Sequence, residues 1–275
     1  MEQDKKQIYD STKRKHPAVE EFLALFQYKD LLYQLTKRNI ITRYKRSVLG
    51  IAWTMLNPLG TMIVMSLVFS QIFDRVESYP VYLLSALVGW QFFSQTTSGC
   101  MNSMLWGSAL FKRSYLPKGS FVISSVLSGM INLLFSLVPL TLIMVFTKVP
   151  FSISLVMLPF AILILACFAL GIGLLLSSFV TVFPDVSEMY PVLLTAWMYL
   201  TPILVPEDIL QKVLNGWLLK ANPLYHILRL MRIVIYDGIF PTDQQWLIAA
   251  CIAFFTLLLG WFIFTKRADS YGYKV

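Results

Sequence analysis

Six stretches of the chain contain no Asp, Glu, Lys or Arg: residues 47–73, 78–111, 119–147, 149–184, 189–206 and 244–265. A helix needs about 20 apolar residues to cross the hydrocarbon core of a bilayer, and all of these runs but 189–206 are longer than that. A soluble domain of 275 residues has too little interior to hide six such segments. The composition follows from them: 57% hydrophobic residues, 14% charged residues and a mean hydropathy of +0.65. A membrane β-barrel would show short segments of alternating polarity, and these runs do not alternate. The expected fold is therefore an all-α integral membrane protein with six transmembrane helices, at 50–73, 81–105, 121–147, 151–179, 188–205 and 244–265.

The basic residues predict the orientation, since Lys and Arg collect on the cytoplasmic side of short loops. Of the 23 Lys and Arg, 11 precede the first span. Lys112, Arg113 and Lys118 share the 106–120 loop, and Lys266, Arg267 and Lys274 lie in the tail. The other side has only Arg75, Lys148 and four in the long 206–243 segment. Both termini are expected in the cytoplasm. The first 46 residues are too polar for a signal peptide, so the first span is expected to stay as an anchor. The net charge of +8 then reflects topology and attraction to anionic headgroups. No nucleic-acid partner is expected, because the charge is not gathered on a soluble domain.

The organisation read from the sequence is a disordered tail at 1–18, an amphipathic cytoplasmic interface helix at 19–49, the six-span domain at 50–265 and a cytoplasmic tail at 266–275. In the interface helix Tyr28, Leu31, Leu32 and Leu35 form an apolar stripe that slips by one position near Asn39, which predicts a bend there. Arg43, Lys45 and Arg46 supply charge beside the membrane. The helix reads either as a topological anchor or as a docking element. The 106–120 loop sets Leu110, Phe111, Tyr115 and Leu116 among Lys112 and Arg113, a partner surface or a segment dipping into the bilayer.

Other features read as structural. Ser124, Ser125, Ser128, Gly129 and Asn132 in the third span, and Gly171, Gly173, Ser177 and Ser178 in the fourth, are expected packing faces. Cys100, Cys167 and Cys251 lie within spans and form no metal-like pair, and His16 and His226 stand on opposite sides. No metal site is expected. Asp185 and Glu188 follow Pro184 at a helix start, where a capping role outranks catalysis. Beyond the short, proline-bearing fifth span, 207–219 and 223–236 read as two short re-entrant helices on the outer side. Asn222 is the expected cap, Pro223 the first-turn residue and Gly238 the terminator of the second. Arg229 and Arg232 lie on that second helix, placed to meet phosphate, acidic sugars or headgroups, or to snorkel.

No G-x-x-x-x-G-K-[ST] loop occurs, and Lys118-Gly119-Ser120 has the wrong order. The few ionisable residues within the spans and the lack of an inverted repeat disfavour an ion-coupled carrier. Energy for uphill transport would come from another chain.

The stretch "DLLYQLTKRNIITRYKRSVLGIAWTMLNP", followed by "YLTPILVP" and "NPLYHILRLMR", resembles the permease subunit of type-2 ABC exporters, in the branch exporting O-antigen, capsule or teichoic acid. The similarity covers nearly the whole chain from about Asp30. One departure is Pro184, where the family commonly has Arg before the Asp. The resemblance implies a homodimer with two separate P-loop ATPase subunits, which hold ATP and Mg, and no cofactor in this chain. It implies a lipid-linked polysaccharide as cargo, in the cytoplasmic membrane of a bacterium. Arg43, Lys45, Arg46, Leu110, Phe111, Lys112, Arg113, Tyr115 and Leu116 would couple to the ATPases. Trp53, Trp90, Phe93, Tyr190, Trp197 and Tyr199 would line the substrate path, since sugar C–H faces stack on aromatic rings. The helices within 206–240, with Trp217, Arg229 and Arg232, would form an outer gate. A permease for a drug or lipid, a membrane-embedded transferase built on Asp185 and Glu188, and a scaffold or passive channel are the alternatives.

Overall fold

The computed structural model describes residues 17–45, 47–73, 76–111, 116–213 and 216–267. Every regular element among them is helical, as expected where no water is available to satisfy backbone N–H and C=O groups outside the helix itself.

The N-terminal region is two helices, α1 (Pro17–Gln27) and α2 (Lys29–Tyr44). Helix starts at Pro17, two residues before the expected boundary, and the break falls at Tyr28 instead of near Asn39. The reason is tertiary. Leu25 and Leu35 are both buried, and Glu21 accepts a hydrogen bond from the Gly119 N–H at 2.7 Å, which ties α1 to the start of α5 (Gly119–Phe146). Thus α1 and α2 pack on the bundle, and part of the predicted interface face is covered by protein. Residues 47–51 turn into α3 (Ala52–Phe69), with Gly50 at φ +49°, a conformation glycine takes without strain.

Helix α4 (Tyr79–Phe111) runs 33 residues and α5 runs 28. The predicted 106–120 loop is therefore shorter than expected, because residues 106–111 continue α4. A 3-10 turn (Ile153–Met157) leads into α6 (Leu158–Val180), followed by α7 (Val186–Tyr199). Next come α8 (Glu207–Val213), α9 (Trp217–Ala221) and α10 (Pro223–Arg232), which continues as a π turn (Ile233–Asp237), then α11 (Asp243–Arg267). The helix predicted at 207–219 is split into α8 and α9, with Gly216 at φ +50° between them. Asn222, Pro223 and Gly238 occupy the cap, first-turn and terminator positions read from the sequence. Asp185 stands at the N-cap of α7, but its carboxylate makes no capping bond.

Among the described residues, four segments are long and apolar enough to cross a membrane: α3, α5, the 3-10 turn with α6, and α11. Helix α4 has the length but carries Gln91, Gln95, Thr96, Thr97 and Asn102 along it. Helix α7 has 14 residues, roughly 21 Å at about 1.5 Å per residue, and is shorter than a bilayer core of about 30 Å. The predicted span 188–205 ends as helix at Tyr199. The chain then continues as turns in which Thr201, Ile203 and Leu204 are buried, with the Tyr79 hydroxyl donating to the Leu204 carbonyl at 2.8 Å.

Helix α4 is the centre of the core, with Val81, Leu83, Leu84 and Phe93 fully buried. Its Phe93 ring stacks on Phe168 of α6 at 5.5 Å between centroids and meets Trp197 of α7 edge-on at 5.3 Å. Helices α6 and α11 approach most closely at Gly171 and Gly260. A Cβ on Gly171 would stand 2.6 Å from the Thr256 backbone carbon, and one on Gly260 would collide with the Gly171 backbone. Gly171 is thus packing, as the sequence predicted. Cys100 is buried, while Cys251 faces outward from α11.

Replacing Gly260 by Val is expected to force α6 and α11 apart at a cost of about 1–3 kcal/mol and to lower the thermal unfolding midpoint in detergent. Gly60→Val, which meets open space on α3, is expected to shift that midpoint little. Equal shifts would show that the close approach is not what holds the pair.

Candidate functional site: a carboxamide-lined cavity and a polar cap

Ser136 stands 17 positions into α5, counted from Gly119, yet its hydroxyl donates to the Thr54 carbonyl at the start of α3, at 3.1 Å. So α3 begins beside the middle of α5. The first half of α5 is flanked by α2 instead, where the Asn39 amide donates to the Ser124 hydroxyl at 3.4 Å. Between α2, α3, α4 and α5 lies a cavity of about 810 Å³.

Its walls are polar, in a bundle that is otherwise apolar. Six carboxamides line it: Asn39, Asn57, Gln91, Gln95, Asn102 and Asn132. Among the described residues the side-chain amides of Asn57, Gln91, Gln95 and Asn102 bond to nothing, which leaves donors and acceptors facing the space. The α5 serines are accommodated differently. Ser124 and Ser125 donate to the Phe121 carbonyl at 2.9 and 3.1 Å, and Ser128 to the Ser125 carbonyl at 3.0 Å. Each hydroxyl proton is spent inside the helix, while the oxygen still lines the cavity. This stripe, expected to be packing alone, packs at Gly129 against Thr96 and also lines the cavity. Thr96 is 3% exposed, and its hydroxyl has no partner among the described residues. Trp53, Phe92 and Trp106 add aromatic surface, with Trp53 54% and Trp106 81% exposed. Among the described residues, Arg38 and Arg43 of α2 are the cations of the lining, and it contains no Asp or Glu.

The residues predicted for a path separate into two groups. Trp53 lines the cavity and Tyr199 is exposed. Trp90, Phe93 and Tyr190 are buried, and Trp197 is partly buried. These four gather between α4, α6 and α7, where Tyr190 shares a 2.7 Å hydrogen bond with Thr97, and none of them lines the cavity. Of the predicted coupling residues, Arg43 lines the cavity, Lys45 is exposed and Leu116 is partly buried. Arg46, Lys112, Arg113 and Tyr115 lie outside the described residues. Leu110 and Phe111 end α4, and their side chains lie outside the described set. The cavity amides Gln91, Gln95 and Asn102 were not singled out from the sequence. Their signal was polar residues recurring in an uncharged run.

At the Tyr79 end of α4, α8–α10 form a polar cap. The Asn222 amide oxygen accepts from the Leu224 N–H at 3.1 Å and from Trp197 Nε1 at 2.8 Å, while its nitrogen donates to the Thr201 hydroxyl and the Leu200 carbonyl. One residue therefore joins the end of α7 to the start of α10. The two arginines predicted together have different surroundings. Arg229 pairs with Glu207 at 3.4 Å and donates to the Tyr225 hydroxyl at 2.8 Å, and that hydroxyl donates to Glu207. Burial, then the Glu207 hydrogen bond and charge, push the Tyr225 phenol up, which keeps its proton in place for that bond. Arg232 is 5% exposed, lies 3.9 Å over the Tyr82 ring, and has no hydrogen-bond partner for Nε or Nη2 among the described residues. Trp217 is exposed on α9. Asp185 and Glu188 are both exposed at the start of α7 and touch neither site. No group of three or more metal-ligating side chains occurs among the described residues.

A bundle of apolar helices around a polar cavity, in a chain without a nucleotide-binding loop, is built as a membrane permease. The profile of the ABC-2 type transporter family matches residues 30–236, and the chain belongs to that family. It is 26% identical over 255 residues to the O-antigen export system permease protein RfbA of Myxococcus xanthus, covering 91% of this chain and 97% of that protein. It is 24% identical over 212 residues to the O-antigen export system permease protein RfbA of Klebsiella pneumoniae, covering 76% and 81%. It is 24% identical over 240 residues to the polysialic acid transport protein KpsM of Escherichia coli, covering 85% and 92%. Permeases of this kind leave ATP hydrolysis to separate subunits, so the chain is a transport subunit and not itself an ATPase.

The cap yields a paired prediction. Arg232→Met keeps bulk over Tyr82 and removes unpartnered buried donors, so it is expected to stabilise the purified protein by about 1–3 kcal/mol. Arg229→Met strands the Glu207 carboxylate and is expected to destabilise it. Thermal unfolding in detergent reads both, and a destabilising Arg232→Met would show that the contact with the Tyr82 ring outweighs the two unpartnered donors.

Proposed function

We propose that this chain is the membrane subunit of an ATP-driven exporter that moves a lipid-linked polysaccharide across the cytoplasmic membrane of a bacterium. It works as a homodimer with two P-loop ATPase subunits, which bind ATP and Mg. The observation that carries the reading is the cavity. Neutral amides and hydroxyls offer both donors and acceptors to sugar hydroxyls, and Trp53 and Trp106 offer faces to sugar rings. The lack of acidic residues suits a neutral or anionic polymer. The names of the relatives, O-antigen and polysialic acid export proteins, support the same cargo class.

In this reading six segments cross the membrane: α3, α4, α5, α6, α7 with the buried turns at 200–206, and α11. Both termini face the cytoplasm, so the cavity opens in the cytoplasmic half and α8–α10 cap the outer side as short re-entrant helices. Trp217, Arg229 and Arg232 belong to this outer gate. The 106–120 segment and the Arg43, Lys45 and Arg46 cluster meet the ATPases. ATP-driven closure shifts α4 and α5, which border both the cavity and that contact. Trp53 and Tyr199 contribute to the path as placed, and Trp90, Phe93, Tyr190 and Trp197 join it when α7 moves from α4. Asp185 and Glu188 lie apart from the cavity, which leaves a transferase reading without a substrate site.

The test is genetic and biochemical. Deleting the chain is expected to remove surface polysaccharide, and the tagged chain is expected to bring down a stoichiometric P-loop ATPase. Gln95→Leu combined with Asn102→Leu removes two free amides of the cavity and is expected to cut the export rate about tenfold or more, at hydrogen-bond contributions of about 0.5–1.5 kcal/mol each. ATPase recovery should not change. Export at the wild-type rate in that variant would remove the cavity from the path.

A further inference from the structure

We propose that the outer cap opens by a charge exchange at Glu207: α8 slides about one turn along α10, and the carboxylate leaves Arg229 and Tyr225 for Arg232. This rests on the reading of α8–α10 as the outer gate of an ATP-driven exporter and adds the contact that sets the two positions of that gate.

The stripe of α10 that faces Glu207 holds one cation too many. Tyr225, Arg229 and Arg232 stand at i, i+4 and i+7 of the helix, so they lie in one row along it. Glu207, in the first turn of α8, engages the first two. Arg232, one turn further on, is buried over the Tyr82 ring, and among the described residues its Nε and Nη2 have no hydrogen-bond partner. A buried guanidinium without an anion is costly. Glu207 already acts on it from a distance: burial draws the Arg232 pKa down, and Tyr82, Glu207 and Asp237 draw it back up. Three residues of helix span about 4.5 Å, the shift that carries Glu207 from Arg229 to Arg232. Packed elements pass between two arrangements by steps of this size. Arg229 loses little in the exchange, since its side chain is 39% exposed and is left to water.

The attachments of the cap permit the step. Leu210 of α8 and Leu219 of α9 pack with Tyr225 in a small cluster separate from the main core, and the chain turns between the two helices at Gly216, φ +50°. Helix α10 is held more firmly. Asn222 binds its start to α7. At the far end the Ser152 and Ser154 hydroxyls donate to the Gly238 and Val234 carbonyls at 2.6 and 3.0 Å. Leu228 and Met231 press against Gly89 of α4, where a Cβ would collide with both. Asp237 belongs to the turn that these serines hold, so a movement of α8 brings it no closer to Arg232.

The experiment uses the chain with its co-purified ATPase in nanodiscs. Leu210→Cys is the reporter, with Cys167 and Cys251 replaced by Ala. Cys100, which is buried, stays as a control that labels only if the bundle unfolds. A water-soluble maleimide is added with and without ATP, and the labelled peptides are quantified by mass spectrometry. In the parent, ATP is expected to speed labelling of the reporter. Arg232→Met is expected to slow ATP-dependent labelling about tenfold, and Arg229→Met to speed labelling without ATP by about the same factor. Arg232→Lys keeps the charge and should label near the parent rate. Glu207→Gln is expected to remove the opposition, so that R229M/E207Q and R232M/E207Q label alike. Labelling of Arg232→Met at the parent rate overturns the proposal. So does a shift of both arginine variants in one direction, the result of packing alone, or an opposition that survives Glu207→Gln. If Arg229→Met exposes Cys100, the Arg232→Met result decides by itself. A parent whose labelling does not respond to ATP sinks the gate reading and this inference with it. A parent that responds, with variants that do not differ from it, sinks this inference alone.

Discussion

The mismatch between α3 and its neighbours shapes the rest of the molecule. Helix α3 has 18 residues, while α4 and α5 have 33 and 28. Its first turn is pinned to the middle of α5 by the Ser136–Thr54 bond. Over the half of α4 and α5 that α3 does not reach, the polar residues of both helices face a space bordered by α2. Were α3 longer by two turns, its side chains would fill that space and the amides of α4 would need partners within the protein. A hydrogen-bonding group held away from water costs free energy until something bonds to it. A chamber lined with such amides offers hydrogen bonds to whatever polar group enters it.

The opposite end of the bundle resolves the same constraint differently. Helix α7 stops after 14 residues, and the following turns carry backbone groups that no helix satisfies. The Tyr79 hydroxyl and the Asn222 amide bond to these turns, so non-helical backbone is tolerated because protein covers it. Glu207, Tyr225 and Arg229 close a compact polar network, and Arg232 is buried beneath it against Tyr82. Between the two ends, the α6–α11 glycine contact and the Phe93–Phe168–Trp197 cluster provide close packing. The architecture combines a tightly joined side, formed by α4, α6 and α11, with a more open side where α2 and α3 border the cavity. A permease driven by a separate ATPase needs both properties, a frame that transmits displacement and a chamber that changes shape.

The features legible from single residues were those with a local cause. Asn222, Pro223 and Gly238 mark the start and end of their helix because capping, a preset φ and a left-handed turn depend on neighbours in sequence. The small residues Gly171 and Gly173 signalled close helix approach for the same kind of reason. The surroundings of the aromatic residues were not legible, since a Trp or Phe on an apolar helix has the same appearance whether it faces a cavity or a neighbouring helix. Phe93 and Tyr190 are interior packing here. The break at Tyr28 and the split at Gly216 also escaped, the first because burial of Leu25 and Leu35 sets the angle of α1 to α2, the second because the apolar face of 207–219 continued across the turn.

The sequence by itself determined that the chain is helical and built for a bilayer, because uncharged runs of this length leave no other way to satisfy the backbone and cover the side chains. It also determined which family the chain resembles. Only the tertiary structure decided that α3 starts halfway along α5, that the amides of α4 and the serines of α5 face one chamber, and that Arg38 and Arg43 border it while Arg229 and Arg232 lie in unlike surroundings. Hydropathy and spacing describe one helix at a time. The relative depth at which two helices begin is set by contacts between residues such as Thr54 and Ser136, 82 positions apart, and no local pattern encodes it.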